Sequence, residues 1–480
     1  MTHALLLLVV ALAGDVPEKL RPVREHVVKG IADGLAPSLA LAVIEDGRVV
    51  WAEGFGHADL ERKTPATADT IYWLASVSKP ITATGLMILV EEGRLELDAP
   101  ANRYLPGAKL VAHRGEADAI TLRRLANHTA GLPTHYNFFH DDTAPPPLDE
   151  TLRRYGFAAT APGARWEYSN LGFGILGFLT GQAAGEPWGR FLEKRLFDPL
   201  GMTRTSDRVR PGLEADAAVP YAPDVAARPV RVTPYRFDHP AASTIWSTAN
   251  DLARFVRMHL GDGALDDVRV LRAESAAAMR APATPGLATG IGWGLGKRRG
   301  RGIIGHTGGM PGVATIVRAW PAERAGLVVL ANTSMRKLGD ETAKRIEEAL
   351  FPDAPEEPSG GEERAPAPDA GPRKLEGAWL GRLAHFRGDV ALRLDVTAKG
   401  EARLGLGDRP PVALREARIQ DDRLTGRLEG LLEIRPDFHG NVTLELRLAL
   451  DGGRLSGVAL AQASGYFALP HWVDLARPAK

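Results

Sequence analysis

The chain has 480 residues, 44% of them hydrophobic and 25% charged, and its 59 basic and 59 acidic side chains give a formal net charge of zero. That length exceeds one ordinary hydrophobic core and implies two domains, while the even charge balance excludes a strongly basic nucleic-acid-binding domain, so no nucleic-acid partner is expected. Cysteine is absent, which excludes disulfides, thiolate metal sites and cysteine nucleophiles but leaves the compartment open.

The chain opens on an apolar run from Ala4 to Leu12, and Ala11-Leu12-Ala13 has the small-x-small pattern of a cleavage site. The run is too short to span a bilayer but suits the apolar centre of a signal peptide over residues 1–13. An exported protein, periplasmic or extracellular, is the expectation, although Met1-Thr2-His3 carries no lysine or arginine. No later apolar run is long enough to cross a membrane, so no integral span is expected after cleavage.

Leu39 to Gly56 reads as a hairpin, with apolar strands either side of Asp46-Gly47, a pair suited to a tight turn. Next comes Ser76-Val77-Ser78-Lys79-Pro80, followed by Ile81 to Val90, apolar nearly all round and ended by Gly93. Such a helix is buried. Pro80 is tolerated only in a first turn, which places the helix start near Ser76. Ser76 and Lys79 then share one helix face, and a lysine held neutral can take the serine proton and make the hydroxyl a nucleophile. The positive helix end favours the resulting oxyanion. The structural alternative is a serine N-cap on a core helix.

The same spacing recurs at Ser334-Met335-Arg336-Lys337, after the apolar run Leu327 to Leu330. Its charged neighbours read as a solvated loop before a helix from Glu341 to Leu350, and it is set aside as a chance match.

The middle of the chain is mostly helical in pattern, with loops rich in proline and glycine. Tyr168-Ser169-Asn170 stands in a loop before a Gly-rich apolar helix. Tyr168 has a phenol that a nearby ammonium would acidify, and Asn170 is either a helix N-cap or a hydrogen-bonding partner of Lys79 and a substrate carbonyl. His135 and His140 lie in a loop with Asp141 and Asp142, a spacing set aside as a metal site, and no metal or other cofactor is expected. Thr248 opens a helix through Leu260 with capping-box-like spacing. Strands return at Ile303 to His306, Val313 to Trp320 and Leu327 to Ala331. Lys297-Arg298-Arg299-Gly300-Arg301 reads as a solvated hairpin turn.

His306-Thr307-Gly308-Gly309 closes the first of those strands. It is either a strand-end histidine before a glycine turn or a wall of an active site. In the second case His306 and Thr307 offer hydrogen bonds to substrate, and the Gly309 and Ser76 N–H groups form an oxyanion hole beside Gly308.

Taken in order, Ser76-x-x-Lys79, Tyr168-x-Asn170 and His306-Thr307-Gly308 resemble the class C β-lactamase and penicillin-binding-protein superfamily of serine hydrolases. Leu125-Ala126-Asn127-His128-Thr129-Ala130-Gly131-Leu132-Pro133 and Ser247 to Leu252 are similar to further stretches of it. The resemblance spans about Val16 to Leu350. It implies an α/β (α+β) fold in which an antiparallel sheet is flanked by helices, with a helical subdomain. It also implies Ser76 as acylated nucleophile, Lys79 as its activator and Tyr168 sharing proton transfer. Which of Lys79 and Tyr168 is the base stays open. His306 stands where β-lactamases and many carboxypeptidases have lysine. An unperturbed histidine is mostly neutral at pH 7, so it anchors a substrate carboxylate less well. That departure resembles esterase-like and D-aminopeptidase-like members.

Residues 352–374 read as a proline-rich linker. From 375 to 480, alternating runs such as Val390 to Val396 and Val442 to Leu448, with turns at Lys399-Gly400, Asp421-Asp422 and Asp451-Gly452-Gly453, indicate a small all-β barrel or sandwich. The expected organisation is a signal peptide at 1–13, a hydrolase domain at 14–351, the linker, and this β domain. The expected activity is acyl-enzyme hydrolysis of a small-molecule ester, amide or D-peptide. The alternatives are a β-lactamase proper and a penicillin- or cell-wall-binding sensor that acylates without turnover.

Overall fold

The computed structural model describes residues 16–140, 143–282, 286–354, 374–385, 387–420, 422–430, 438 and 440–478. The signal-peptide reading, Asp141, Asp142, Asp421 and most of the proline-rich linker lie outside the described residues. The chain divides into two compact units, the first of Met1–Leu95, Thr180–Val232 and Ala241–Glu357, the second of Glu96–Leu179, Thr233–Pro240 and Pro358–Lys480.

The first unit is built on an antiparallel sheet drawn from both chain halves. Ser38–Glu45 lies at its centre, paired on one side with Arg48–Asp59 and on the other with Ala325–Ala331. Val313–Trp320, Arg301–Met310 and Gly294–Arg298 extend it outward. Asp46 and Gly47 have φ of 51° and 73°, the left-handed pair that the expected hairpin needs. Residues Ser38 through Ile44 are all buried, because helices cover both faces of the sheet. Alternate residues Leu39, Leu41 and Val43 pack with Leu327 and Val329 against Val23, Val27, Leu338 and Ile346. The opposite face carries the helix Ala249–Leu260, capped where Thr248 accepts from the Asp251 N–H at 3.0 Å.

Two local readings need correction, and a third gains a contact. The last helix of this unit runs Lys337–Leu350, a turn earlier than expected, because Leu338 is buried within it. The His306 strand does not end at a glycine turn; it continues through the glycines as Arg301–Met310. The arginine-rich hairpin turn is present, with Arg299 and Gly300 at φ of 49° and 73°, but Arg299 also donates to the Phe351 and Ala354 carbonyls.

In the second unit a nine-strand meander runs from Gly377–Leu383 to Phe467–Ala476. The last strand returns to pair with the first as well as with its own hairpin neighbour, forming a nearly closed barrel. The unit also contains the helical segment, and Phe467 and Ala468 extend their strand onto Tyr136–His140. That short strand, which also pairs with Tyr235–Phe237, has no periodic signal of its own. Barrel and helical segment meet over Phe157, Ala159, Val458 and Leu460, with His113 stacked on Trp472 at 4.2 Å.

Candidate active site

Within the first unit, Leu74 enters a short 3-10 turn, Ala75–Val77, which feeds the helix Ser78–Glu91. Ala75 has φ of 48°, a left-handed conformation that costs a non-glycine residue about 1–2 kcal/mol. The turn is clamped from two directions. Thr315 Oγ1 donates to the Leu74 carbonyl at 2.8 Å, and the Leu74 N–H donates to the Ile245 carbonyl at 2.9 Å. Ser78 Oγ accepts from the Ile245 N–H at 3.1 Å. Strain held by such surroundings is characteristic of functional turns.

Lys79 is wholly buried. Its Nζ lies 3.1 Å from Ser76 Oγ and 3.1 Å from the Ala242 carbonyl oxygen, to which it donates. Burial lowers its pKa well below the ordinary lysine value, because an ammonium in that setting loses its hydration. Burial thus favours the neutral amine, and the nitrogen lies within reach of a serine hydroxyl.

His306 lies on the strand beside this turn, paired with Val317, and its Nδ1 donates to the Thr307 carbonyl at 2.8 Å. Burial of the ring and then the charge of Lys79 push its pKa down to about 3, against the opposing bond to Thr307. His306, half-buried as a whole, is therefore neutral at pH 7. Gly308 is where the strand presses on the serine turn. A Cβ there would meet the Leu74 carbonyl oxygen and Thr315 Oγ1 at 2.2 Å each and Ala75 Cβ at 3.1 Å, so only glycine fits. Thr307 and Gly309 are exposed on the same strand. The structure therefore brings Ser76, Lys79, His306 and Gly308 into one neighbourhood.

Tyr168 and Asn170 belong to the second unit. Asn170 is the first residue of the helix Asn170–Ala184 rather than its cap. Ser169 Oγ accepts from the Gly172 N–H at 3.4 Å, and Asn170 Nδ2 donates to the His135 carbonyl at 2.9 Å. The Tyr168 loop is shaped by His128, a residue with φ of 61°. Its carbonyl accepts from the Glu167 N–H at 2.7 Å, its Nδ1 accepts from the Ser169 N–H at 3.2 Å, and its ring lies 4.4 Å from that of Tyr168.

Residue-by-residue reading assigned no role to His128 or to Arg336. The sequence signal for His128 was its place in the Asn127-His128-Thr129 stretch. Arg336 Nη1 donates to the Gly308 carbonyl at 3.1 Å, and no local pattern announces that reach.

His140, whose spacing from His135 was set aside as a metal site, donates from Nε2 to the Gly465 carbonyl at 3.0 Å. Instead His135, Asp238 and His239 are the residues among those described whose donor atoms could hold a metal ion, all within 4.8 Å and all buried. Asp238 already accepts from His135 Nε2 at 3.0 Å, His239 Nδ1 at 2.7 Å and Asn137 Nδ2 at 2.9 Å. Burial alone would raise its pKa, but the two histidines outweigh it and hold the carboxyl well below its usual range. Three hydrogen bonds satisfy this buried charge as they stand.

Comparison with known proteins gives this geometry its context. The family model described as Beta-lactamase matches residues 23–351. The chain belongs to the Beta-lactamase family. It is 32% identical over 280 residues to protein Rv1367c of Mycobacterium tuberculosis, covering 52% of this chain and 68% of that one. It is 28% identical over 346 residues to penicillin-binding protein 4* of Bacillus subtilis, covering 67% of this chain and 74% of that protein. Among solved structures, the D-amino acid amidase of Ochrobactrum anthropi, determined with D-phenylalanine, matches with a TM-score of 0.58 and 25% identity over 70% of this chain and 99% of the amidase. Among the described residues no helix is long and apolar enough to cross a membrane.

Proposed function

We propose that this Beta-lactamase family member is a serine hydrolase that forms an acyl-enzyme on Ser76 and cleaves a small ester or amide, D-amino-acid peptides among the amides. The observation that carries the reading is the buried Lys79 amine 3.1 Å from Ser76 Oγ. In the proposed step the Lys79 lone pair accepts the hydroxyl proton as Oγ bonds to the substrate carbonyl carbon. The carbonyl π electrons move to oxygen, and the resulting oxyanion accepts hydrogen bonds from the N–H groups of Ser76 and Gly309. Collapse of that intermediate expels the alcohol or amine, which takes up the proton, and water then releases the acid by the same sequence in reverse. Tyr168 shares the proton transfers, its loop being held by His128. A neutral His306 on the wall strand gives a hydrogen bond but no positive charge to a substrate carboxylate, which favours esters and amides over β-lactams. The apolar run from Ala4 to Leu12 supports export as the setting for this activity.

Intact-mass spectrometry after mixing with p-nitrophenyl butyrate, a D-alanyl peptide and a chromogenic cephalosporin tests the proposal. The expected result is a transient acyl adduct on Ser76 with the ester, faster to form and clear than the cephalosporin adduct. Rapid cephalosporin turnover without esterase activity would reverse the ranking, and a permanent adduct with every compound would make the protein a sensor.

A further inference from the structure

Arg336 stands between the strand Ala325–Ala331 and the helix Lys337–Leu350, all within the first unit. The helix gains nothing from it: the side chain makes no capping bond, and a cation is unfavourable at a positive helix end. Its guanidinium spans two other partners. Nη1 donates to the Gly308 carbonyl at 3.1 Å, and Nη2 lies 3.6 Å from Asp340 Oδ1. Asp340 is one helical turn further on, so its carboxylate steadies the planar guanidinium over the strand. The same group lies against the next residue, since a Cβ on Gly309 would meet Arg336 Nη1 at 3.2 Å. Two residues earlier, Ser334 Oγ accepts from the Gly312 N–H at 2.8 Å. One short segment therefore grips the wall strand on both sides of Gly309.

The Gly308 bond matters because of the peptide it reaches. The Gly308 carbonyl and the Gly309 N–H belong to one conjugated, planar, trans peptide unit. A cation on the oxygen draws electron density through the O–C–N system and leaves the N–H a stronger donor, as in any chain of hydrogen bonds that polarise one another. Planarity adds a geometric effect: fixing the direction of the C=O fixes that of the N–H opposite it. In the proposed reaction this N–H donates to the oxyanion. The tetrahedral oxygen carries more negative charge than the ester carbonyl, so a stronger donor stabilises the transition state more than the bound substrate.

We infer that Arg336 is a positioning residue for the oxyanion hole: by holding the Gly308 carbonyl it orients and polarises the Gly309 N–H without touching substrate. The inference rests on the proposed hydrolase reading, which sets the Gly309 N–H against the oxyanion.

The test uses the full chain with p-nitrophenyl butyrate as substrate and butylboronic acid as tetrahedral analogue. The boron bonds to Ser76 Oγ while Lys79 takes the hydroxyl proton, which gives a tetrahedral anion. In Arg336→Ala, kcat should fall about threefold to tenfold with KM changed by less than about twofold, and boronate affinity should fall by the same factor as kcat/KM. Infrared difference spectra of the acyl-enzyme from carbonyl-labelled p-nitrophenyl trimethylacetate should show the acyl C=O stretch moved to higher wavenumber, because a weaker donor restores double-bond character. A loosened strand end alone would not move that band in step with the boronate affinity. Arg336→Lys, which keeps a donor cation, should lose less on every measure. Arg336→Gln fills similar space without the charge, should behave like Arg336→Ala, and carries the test if the alanine variant does not fold. An unmoved stretch, or a loss confined to KM with unaltered boronate affinity, would overturn the inference, the second outcome making Arg336 a ground-state contact of the substrate. If the unmodified protein neither cleaves the ester nor takes up the boronate, the hydrolase reading itself fails. Cleavage that is equally fast in a folded Arg336→Ala leaves that reading standing and sinks this inference alone.

Discussion

Ser76-Val77-Ser78-Lys79 and Ser334-Met335-Arg336-Lys337 have the same spacing and lie in the same compact unit, yet their physical circumstances are opposite. Ser76 sits in a strained turn running into a buried helix, and Lys79 has lost its water. Ser334 stands outside its helix, which begins at Lys337, and Lys337 is exposed. Ser334 Oγ accepts from the Gly312 N–H at 2.8 Å, and Arg336 holds the Gly308 carbonyl. The second copy thus braces the strand that walls the first. The comparison teaches that spacing alone does not set a serine hydroxyl against a desolvated amine: burial of the lysine and the turn that carries the serine do.

The sharpest way to break this contrast is at the two serines. Ser76→Ala should lower kcat for ester cleavage by at least about 10^3-fold and abolish the mass adduct. Ser334→Ala should leave the adduct on Ser76, at a stability cost of about 0.5–1.5 kcal/mol for the lost Gly312 bond, read from urea unfolding. Full activity in Ser76→Ala would sink the proposed function outright.

The lysines come next. Lys79→Met should cost about 10^2–10^4-fold in kcat and should also make the protein more stable at pH 7. The sign follows from linkage: burial lowers the native Lys79 pKa below that of the unfolded lysine, so between the two values the unfolded state binds more protons and stability rises with pH toward the ordinary lysine pKa. That rise should flatten in Lys79→Met across urea titrations from about pH 6 to 9. Lys337→Met should change stability by less than about 0.5 kcal/mol and leave the pH slope as it was. Equal slopes in the two variants would show that Lys79 is not held neutral.

Arg336→Ala is the mildest break, because it loosens the wall strand without touching Ser76 or Lys79. A fall in kcat/KM of about threefold to tenfold is expected, the equivalent of one hydrogen bond near 1 kcal/mol. An effect as large as that of Lys79→Met would mean that Arg336 contacts substrate.

Much of this architecture was legible locally. Asp46-Gly47 called for its hairpin, the run after Pro80 for a buried helix, and the alternation at Val390 to Val396 for a barrel strand, because backbone preference and hydrophobic period act over a few residues. The ordered motifs likewise named Ser76, Lys79, Tyr168 and His306 as candidates. What stayed illegible depends on partners far along the chain. The left-handed Ala75 is held by Thr315 and Ile245, and the Lys79 pKa is lowered by burial while its amine donates to the distant Ala242 carbonyl. Asp238 became a satisfied buried charge only when His135 folded onto it. The pairing of Phe467 with Asn137 that joins barrel to helical segment has no local pattern at all. Side-chain identity and spacing, then, determined which groups were available for chemistry. Tertiary structure decided their protonation and reach, since desolvation and hydrogen bonding are properties of what surrounds a residue and not of its neighbours in sequence.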